Sequence, residues 1–402
     1  MRIAFLIDYL PDDNSPGGGL QNYVTRIASR LHSLGEDVCV ITRSPAESKI
    51  FPFPVRQARI PYKEKKILQI LQSITFHKID NSLTQLLDAW AFRRECRKFG
   101  KIDIIHSPNY KFPGLFVQRK NSKLVVRASS FRSVWTEEKK PTSDTRLIAR
   151  LEKQLYARAD AIFAPSKYLA NILEDALDRP VDVIPSPIPD FRVDEDSSWY
   201  DEHLSGSKYS LYFGTILARK GLFVLAEAMK QVWKQEPNAL LVLAGPDLVV
   251  NGKSNLHTLI ELIGEDKEKV IYAHNLQHPQ LIPVIRHAHF VVLPSLEDNS
   301  PNSMLEGMAL GKAILGTIGS SLDEFYPPAC YDLLVPRDDV NSLAEKFLWL
   351  WKLAPEQVSE YGEESKRYIE ERHNPAAAAV ALLSFYQRIL SPNIPARISP
   401  TL

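Results

Sequence analysis

Short apolar runs of strand length alternate along this chain with longer segments of helical period. MRIAFLIDYL opens the chain as a strand. GGGLQNYVTRIASRLHSLG follows as an amphipathic helix ending at Gly35, and EDVCVIT is the next strand. KIDIIHSP (101–108) and KLVVRASS (123–130) read as further strands. A helix, RLIARLEKQLYARAD, a strand, ADAIFAPS, and a helix, KYLANILEDAL, come next, and VDVIPSPIP closes the unit. Residues 190–207 are polar, acidic and aperiodic, and read as a linker.

The alternation then restarts. YSLYFGT, ALLVLAGP, KVIYAHN, HFVVLPS, AILGT and CYDLLVP read as strands, with helices in GLFVLAEAMKQVWKQ, HPQLIPVIRHA and SMLEGMAL. Helical patterns follow over 338–353 and 355–372, then PAAAAVALLSFYQRIL and a Pro-rich tail. Such alternation predicts an α/β fold: two parallel sheets, each wrapped by helices, over 1–190 and 205–373. Two such halves joined by a linker imply a cleft suited to a ligand.

Composition narrows the class. With 402 residues, 45% hydrophobic and 24% charged, the chain is ordinary for a soluble protein of two domains. No apolar run reaches the roughly 18–20 residues of a membrane span, and IAFLI (3–7) is too short for a signal peptide. Cys39, Cys96 and Cys330 show neither disulfide nor zinc spacing, which points to a reducing, cytoplasmic compartment. Residues 1–190 hold 30 Lys and Arg against 21 Asp and Glu, whereas the remainder holds 19 against 27. A basic half suggests an anionic partner or simply a solvated basic face. No nucleic-acid recognition pattern accompanies it.

Candidate chemistry is densest in LPSLEDNSPNSMLEGMALGKAILGT (293–317). A buried strand exits through Pro294 and Ser295 into a polar loop, and a helix begins near Asn302 and stops at Gly311. Asp298 and Glu306 lie eight residues apart across loop and helix. A loop at the carboxyl end of a strand is where open α/β sheets bind ligands, and a helix start offers free N–H groups. In YFGTILARKG (212–221), Arg219 and Lys220 precede Gly221 on a strand-to-helix turn. Gly17, Gly18 and Gly19 sit between the first strand and helix, where backbone can approach a phosphate or sugar. The dinucleotide spacing fails, because Asn22 takes its last glycine position.

In this order the motifs resemble the retaining family 4 glycosyltransferases of GT-B fold. The resemblance covers most of the chain, from Gly17 to LLVPRDD (333–339). It implies two Rossmann-like domains facing across a cleft, with a helix over 374–392 packing back on the first. It implies transfer of a hexose from a UDP- or GDP-linked sugar to a glycan, lipid-linked or small-molecule acceptor, in polysaccharide or glycoconjugate synthesis. No metal or other cofactor is implied.

By the same resemblance, Asp298 touches donor sugar hydroxyls, with neighbouring Glu297 as the alternative, and Glu306 holds the ribose. Lys220, aided by Arg219, neutralises the diphosphate; Thr215 stands where a first Arg is expected. Backbone or side chains of Gly18, Gly19, Gly214, Thr215, Gly245, His278, Asn299, Ser300, Asn302 and Ser303 line the donor site, and Glu324 takes the usual acidic place. Pro301 has no N–H to give. His106 is structural or functional. Ser129 replaces a customary His, so that contribution passes to Arg127, Ser129 or backbone. Two further readings stay open: a non-catalytic nucleotide-sugar or glycan binder that supports a partner enzyme, and a nucleotide-sugar 2-epimerase. YKEKKILQILQSITFHKI (62–79) is a basic amphipathic helix. It rests on an acidic membrane at the inner face, or faces the core with a solvated Lys edge.

Overall fold

A computed structural model describes the chain apart from residues 12–17, 45–49, 119–120, 132–140, 189–193, 251, 275 and 392–402. The chain divides into two compact units, Met1–Pro187 with Pro375–Leu402, and Ile188–Asn374.

Unit 1 runs β1 (Arg2–Tyr9), α1 (Gly19–Ser33), β2 (Asp37–Ser44), β3 (Val55–Gln57), α2 (Tyr62–Ile74), α3 (Asp80–Lys98), β4 (Ile104–Pro108), β5 (Lys123–Arg127), α4 (Ser143–Arg158), β6 (Ala161–Ala164), α5 (Lys167–Leu177) and β7 (Asp182–Val183). Its seven strands are all parallel, in the order β3-β2-β1-β4-β5-β6-β7. Strand order reverses between β1 and β4, so loops at their carboxyl ends diverge to opposite faces and leave a crevice. Alternate residues of each strand enter two cores. Ala4, Leu6, Ile105 and Val126 pack on one face, and Ile3, Phe5, Ile7 and Val125 on the other.

Unit 2 runs α6 (Ser198–His203), β8 (Tyr209–Phe213), α7 (Leu222–Gln235), β9 (Leu240–Ala244), the hairpin β10 (Val249–Val250) and β11 (Lys253–Ser254), α8 (Asn255–Ile263), β12 (Val270–Ala273), α9 (His278–His287), β13 (Phe290–Val292), α10 (Asn302–Ala309), β14 (Ile314–Ile318), β15 (Leu334–Pro336), α11 (Val340–Lys352) and α12 (Pro355–Arg372). The parallel sheet has the order β12-β9-β8-β13-β14-β15, reversing between β8 and β13. Two expectations need correction. The stretch read as linker contains α6, held by Tyr200 stacking on His287 with ring centroids 4.4 Å apart. Most of CYDLLVP is a 3-10 turn rather than a strand, because Pro327 and Pro328 start the segment without N–H donors.

The final helix, α13 (Pro375–Leu390), belongs to unit 1, although it follows unit 2 in the chain. It completes the core over α1 with Ala379, Leu382 and Tyr386. There the Tyr386 hydroxyl shares a hydrogen bond of 2.6 Å with His106 Nδ1. His106 is 1% exposed and packs against Phe5. Burial, helped by the Arg127 charge, lowers its pKa from 6.5 to about 3. His106 is therefore a neutral core residue that anchors α13 rather than a functional one.

Tyr386→Phe leaves a buried ring nitrogen without its partner, so a loss of about 1–3 kcal/mol is expected in chemical denaturation. The sign of the pH dependence follows from the depressed pKa. His106's contribution is complete above the unfolded value of 6.5 and is lost progressively as pH falls toward about 3, because only the unfolded chain takes up the proton. A His106→Asn variant should show a shallower decline over that window.

Candidate active site

Both acidic and basic candidates of unit 2 spring from the place where its strand order reverses. β8 leaves the sheet through Gly214 and Thr215 into a 3-10 turn, Ala218–Lys220. β13 leaves through Leu293, Pro294 and Ser295 toward Asp298. Two backbone hydrogen bonds join these exits: Leu296 N and Glu297 N donate to Arg219 O at 3.0 and 3.3 Å. Gly221 makes the approach possible. Its φ is +74°, and a Cβ there would run into the Pro294 carbonyl.

The result is an ion pair between Lys220 Nζ and Asp298 Oδ2. Asp298 is 6% exposed, and each oxygen is engaged. Oδ1 accepts from Asn299 N at 2.8 Å, and Oδ2 also accepts from Ser295 Oγ at 3.1 Å. Glu297 is only half-buried and enters this network through its backbone. The geometry thus selects Asp298 over its neighbour as the acid beside Lys220. Tyr212, behind the pair, has its hydroxyl pKa raised by burial and then by the Asp298 charge, so it remains a neutral donor to Thr215 O at 2.8 Å.

The loop then turns sharply. Ser300 adopts φ +56°, its N–H donates to Ser321 Oγ at 3.0 Å, and its own hydroxyl is buried without a hydrogen-bond partner. Non-Gly residues enter this region at a conformational cost and cluster at functional sites. α10 starts after Pro301 with no side chain capping it and no acid in its first turn. Its N-terminal dipole is left for something else to complement. Asn302, Ser303 and Glu306 share the half-exposed side of α10, whereas Met304, Leu305 and Met308 enter the core. Ser303 lies beside Gly214, since a Cβ built on Gly214 would meet its Oγ at 3.8 Å. Gly245 (φ +135°) abuts the Gly214 carbonyl, so β8 and β9 end together here. His278 is the first residue of α9, next to Gln277 at the helix cap; Asn275 is outside the described residues. Glu324 lies in the 3-10 turn Ser321–Phe325.

In unit 1 the other reversal point holds a cavity of about 360 Å³ lined by Asp8, Tyr9, Gly19, Gln21, Tyr110 and Lys111, among others. Asp8 accepts from Gln21 Nε2 at 2.9 Å and from Lys111 Nζ at 3.0 Å. Burial would lower the Lys111 pKa, but the Asp8 hydrogen bond and charge more than offset it, and the net shift is upward. Lys111 and Phe112 hold φ of +56° and +39°, which presents the half-exposed Tyr110 ring at the rim. Gly18 is the N-cap of α1 and Gly19 its first residue; Gly17 is outside the described residues. Ser129 also lines the cavity and donates through N and Oγ to Asn109 Oδ1 at 2.9 and 3.1 Å. Arg127 is buried, donating to Ser186 Oγ at 3.0 Å and lying 4.0 Å from the Tyr23 ring centroid. Asp8, Gln21, Tyr110 and Lys111 escaped sequence reasoning. Only the strand order shows that the ends of β1 and β4 adjoin.

Among the described residues, no three His, Cys, Asp or Glu side chains are grouped as metal ligands. Unit 1 thus holds a polar cavity at its strand-order reversal, and unit 2 brings a cation, an acid and an uncapped helix start together at its own.

Comparisons with known proteins identify the family. Residues 17–190 match the model of Glycosyltransferase Family 4, and 207–352 match that of Glycosyl transferases group 1. An uncharacterised glycosyltransferase of Methanocaldococcus jannaschii is 24% identical over 290 residues, covering 70% of this chain and 74% of that protein. Among solved structures, sucrose-phosphate synthase from Thermosynechococcus elongatus aligns with a TM-score of 0.73 at 20% identity, over 96% of this chain and 98% of that one. HepE of Anabaena, solved in complex with UDP and glucose, aligns with a TM-score of 0.70 at 13% identity, over 96% and 99%. These likenesses give both units the GT-B architecture of paired Rossmann-like sheets. With 17–190 matched by the model of Glycosyltransferase Family 4, 207–352 by that of Glycosyl transferases group 1, and a GT-B fold, the chain belongs to the family 4 glycosyltransferases.

Proposed function

We propose that this glycosyltransferase moves a sugar from a nucleoside diphosphate sugar seated in unit 2 to a hydroxyl of an acceptor held by unit 1, with retention of anomeric configuration. The observation that carries the reading is the convergence of Lys220, Asp298 and the uncapped α10 start on one reversal of strand order. Lys220, with Arg219 beside it in the turn, supplies positive charge to the diphosphate. Asp298 orients sugar hydroxyls, and Glu306, one turn into α10, accepts from the ribose hydroxyls. That the HepE complex contains UDP and glucose supports a donor of this class.

In the step, the bond from the anomeric carbon to the β-phosphate oxygen breaks. A bond to the acceptor oxygen forms on the same face, and the departing phosphate oxygen takes the acceptor's proton. Asp298 is a poor candidate for a nucleophile, because both its oxygens already accept hydrogen bonds. The chain thus acts by positioning and by fixed charge rather than through a covalent sugar intermediate, and needs no metal for charge neutralisation. Tyr110, beside Asp8, Gln21 and Lys111, offers a ring face and hydroxyl partners to a carbohydrate acceptor.

Glu306→Gln tests the donor role. Calorimetric affinity for the nucleoside diphosphate sugar should fall about ten-fold or more, the scale of a charge-assisted hydrogen bond. Unchanged affinity would remove Glu306 from the ribose. One observation favours a second reading, a non-catalytic binder: Thr215 brings no charge where a cation is expected. Purified chain that binds donor yet neither transfers nor hydrolyses it would establish that reading.

A further inference from the structure

The helix α2 is turned inside out. None of its 13 residues is buried. Ile67, Ile70, Leu71 and Ile74 recur at the i, i+3, i+4, i+7 spacing that defines one face, and that face points to solvent. With Phe76, just beyond the helix, these side chains are between 42% and 81% exposed. The half-buried residues are Glu64, Leu68 and Gln72, so the side turned to the protein is the more polar one. Glu64 is engaged there by Arg94 of α3, whose Nη1 donates to Oε1 at 2.7 Å. The sequence alone allowed a core-facing stripe, and the structure removes that reading.

The turn after α2 extends the same display. Phe76 and His77 both adopt left-handed backbone, with φ of +49° and +58°, and the helix closes through His77 N to Gln72 O at 2.9 Å. An aromatic residue takes up this conformation at a cost, and here it holds the ring in solvent. Lys63, Lys65, Lys66 and Lys78 are exposed around the stripe. The adjacent acids are occupied: Glu64 by Arg94, and Asp80 by His77 at 2.7 Å.

We infer that α2 and Phe76 form a docking surface for an anionic lipid bilayer, lying in the headgroup plane with the aliphatic stripe inserted. A convex single helix of large aliphatic side chains ringed by lysines matches the interface of an acidic membrane. Self-association through the same face fits worse, because a two-fold contact would press the lysine cluster against its own copy. Among the described residues no helix is long and apolar enough to cross a membrane. This inference does not depend on the transfer reaction.

Vesicle co-sedimentation of the full chain tests it. The chain should pellet with phosphatidylcholine vesicles containing about 30% phosphatidylglycerol, remain mostly in the supernatant with pure phosphatidylcholine, and be released as salt rises. Ile70→Glu with Ile74→Glu should reduce partitioning at least ten-fold while leaving thermal melting and donor turnover unchanged. Lys63→Glu with Lys65→Glu and Lys66→Glu should reduce it about 100-fold or more, since each lysine near an anionic surface contributes roughly five-fold. A chain that stays in the supernatant with the anionic vesicles would overturn the inference. So would aliphatic variants that bind as well as the parent, or a dimer in light scattering that Ile70→Glu dissociates. Donor turnover, measured alongside, keeps failure of this proposal separate from failure of the catalytic one.

Discussion

Lys220→Ala is expected to lower kcat about 100-fold or more, the usual loss when one stabiliser of transition-state charge is removed. The expectation rests on placement. Lys220 comes from a turn locked by Gly221 against the β13 exit, and its ammonium is already fixed on Asp298 before any donor arrives. A diphosphate entering at the α10 start meets a cation that needs no rearrangement of the chain to face it. Lys220→Arg keeps the charge but not the compact ammonium, and should fall between the parent and the alanine variant. Because Lys220→Ala also strips a buried carboxylate of its counter-ion, thermal melting must accompany the kinetics. Lost activity in a folded variant supports the catalytic role, whereas near-parent turnover would reject it.

Gly221→Ala should be strongly damaging for so small a change. Two costs coincide at this position. The backbone at φ +74° disfavours any side chain, and the new Cβ would meet a carbonyl that cannot rotate away. Relief requires the Pro294–Asp298 loop to part from the turn, breaking the bonds of Leu296 N and Glu297 N to Arg219 O. A stability loss of about 2–4 kcal/mol is expected in urea unfolding, in the range of strain and packing lesions. Turnover should fall with it, because Lys220 and Asp298 separate. An unchanged urea midpoint with normal turnover would show that the two exits are not in register as described.

Much of the architecture could be read from the chain because parallel strands buried on both faces are written as unbroken apolar runs. Their order could not. The apolar run of β1 looks the same whether its neighbour is β4 or β6, and only pairing puts Asp8 beside Lys111. The site divides along the same line. Lys220 and Glu306 were singled out by the resemblance of their motifs to the family 4 glycosyltransferases, since an Arg-Lys-Gly turn or a helical acid means little by itself. Which of Glu297 and Asp298 lies against Lys220 needed the fold, which no one-dimensional pattern carries. His106 follows the apolar run KIDII and drew attention through the resemblance, yet the distant Tyr386 claims it for the core. For α2 the period was legible but its direction was not, since amphipathicity tells which residues share a face and not what that face meets.

The most direct test is calorimetric titration of a panel of nucleoside diphosphates into the parent chain and into Lys220→Ala. The parent should bind at least one diphosphate in the micromolar range, more tightly than the matching monophosphate, and Lys220→Ala should lose about ten-fold or more of that affinity. Equal affinity for mono- and diphosphate, or a Lys220→Ala variant that binds the diphosphate as tightly as the parent, would contradict the account.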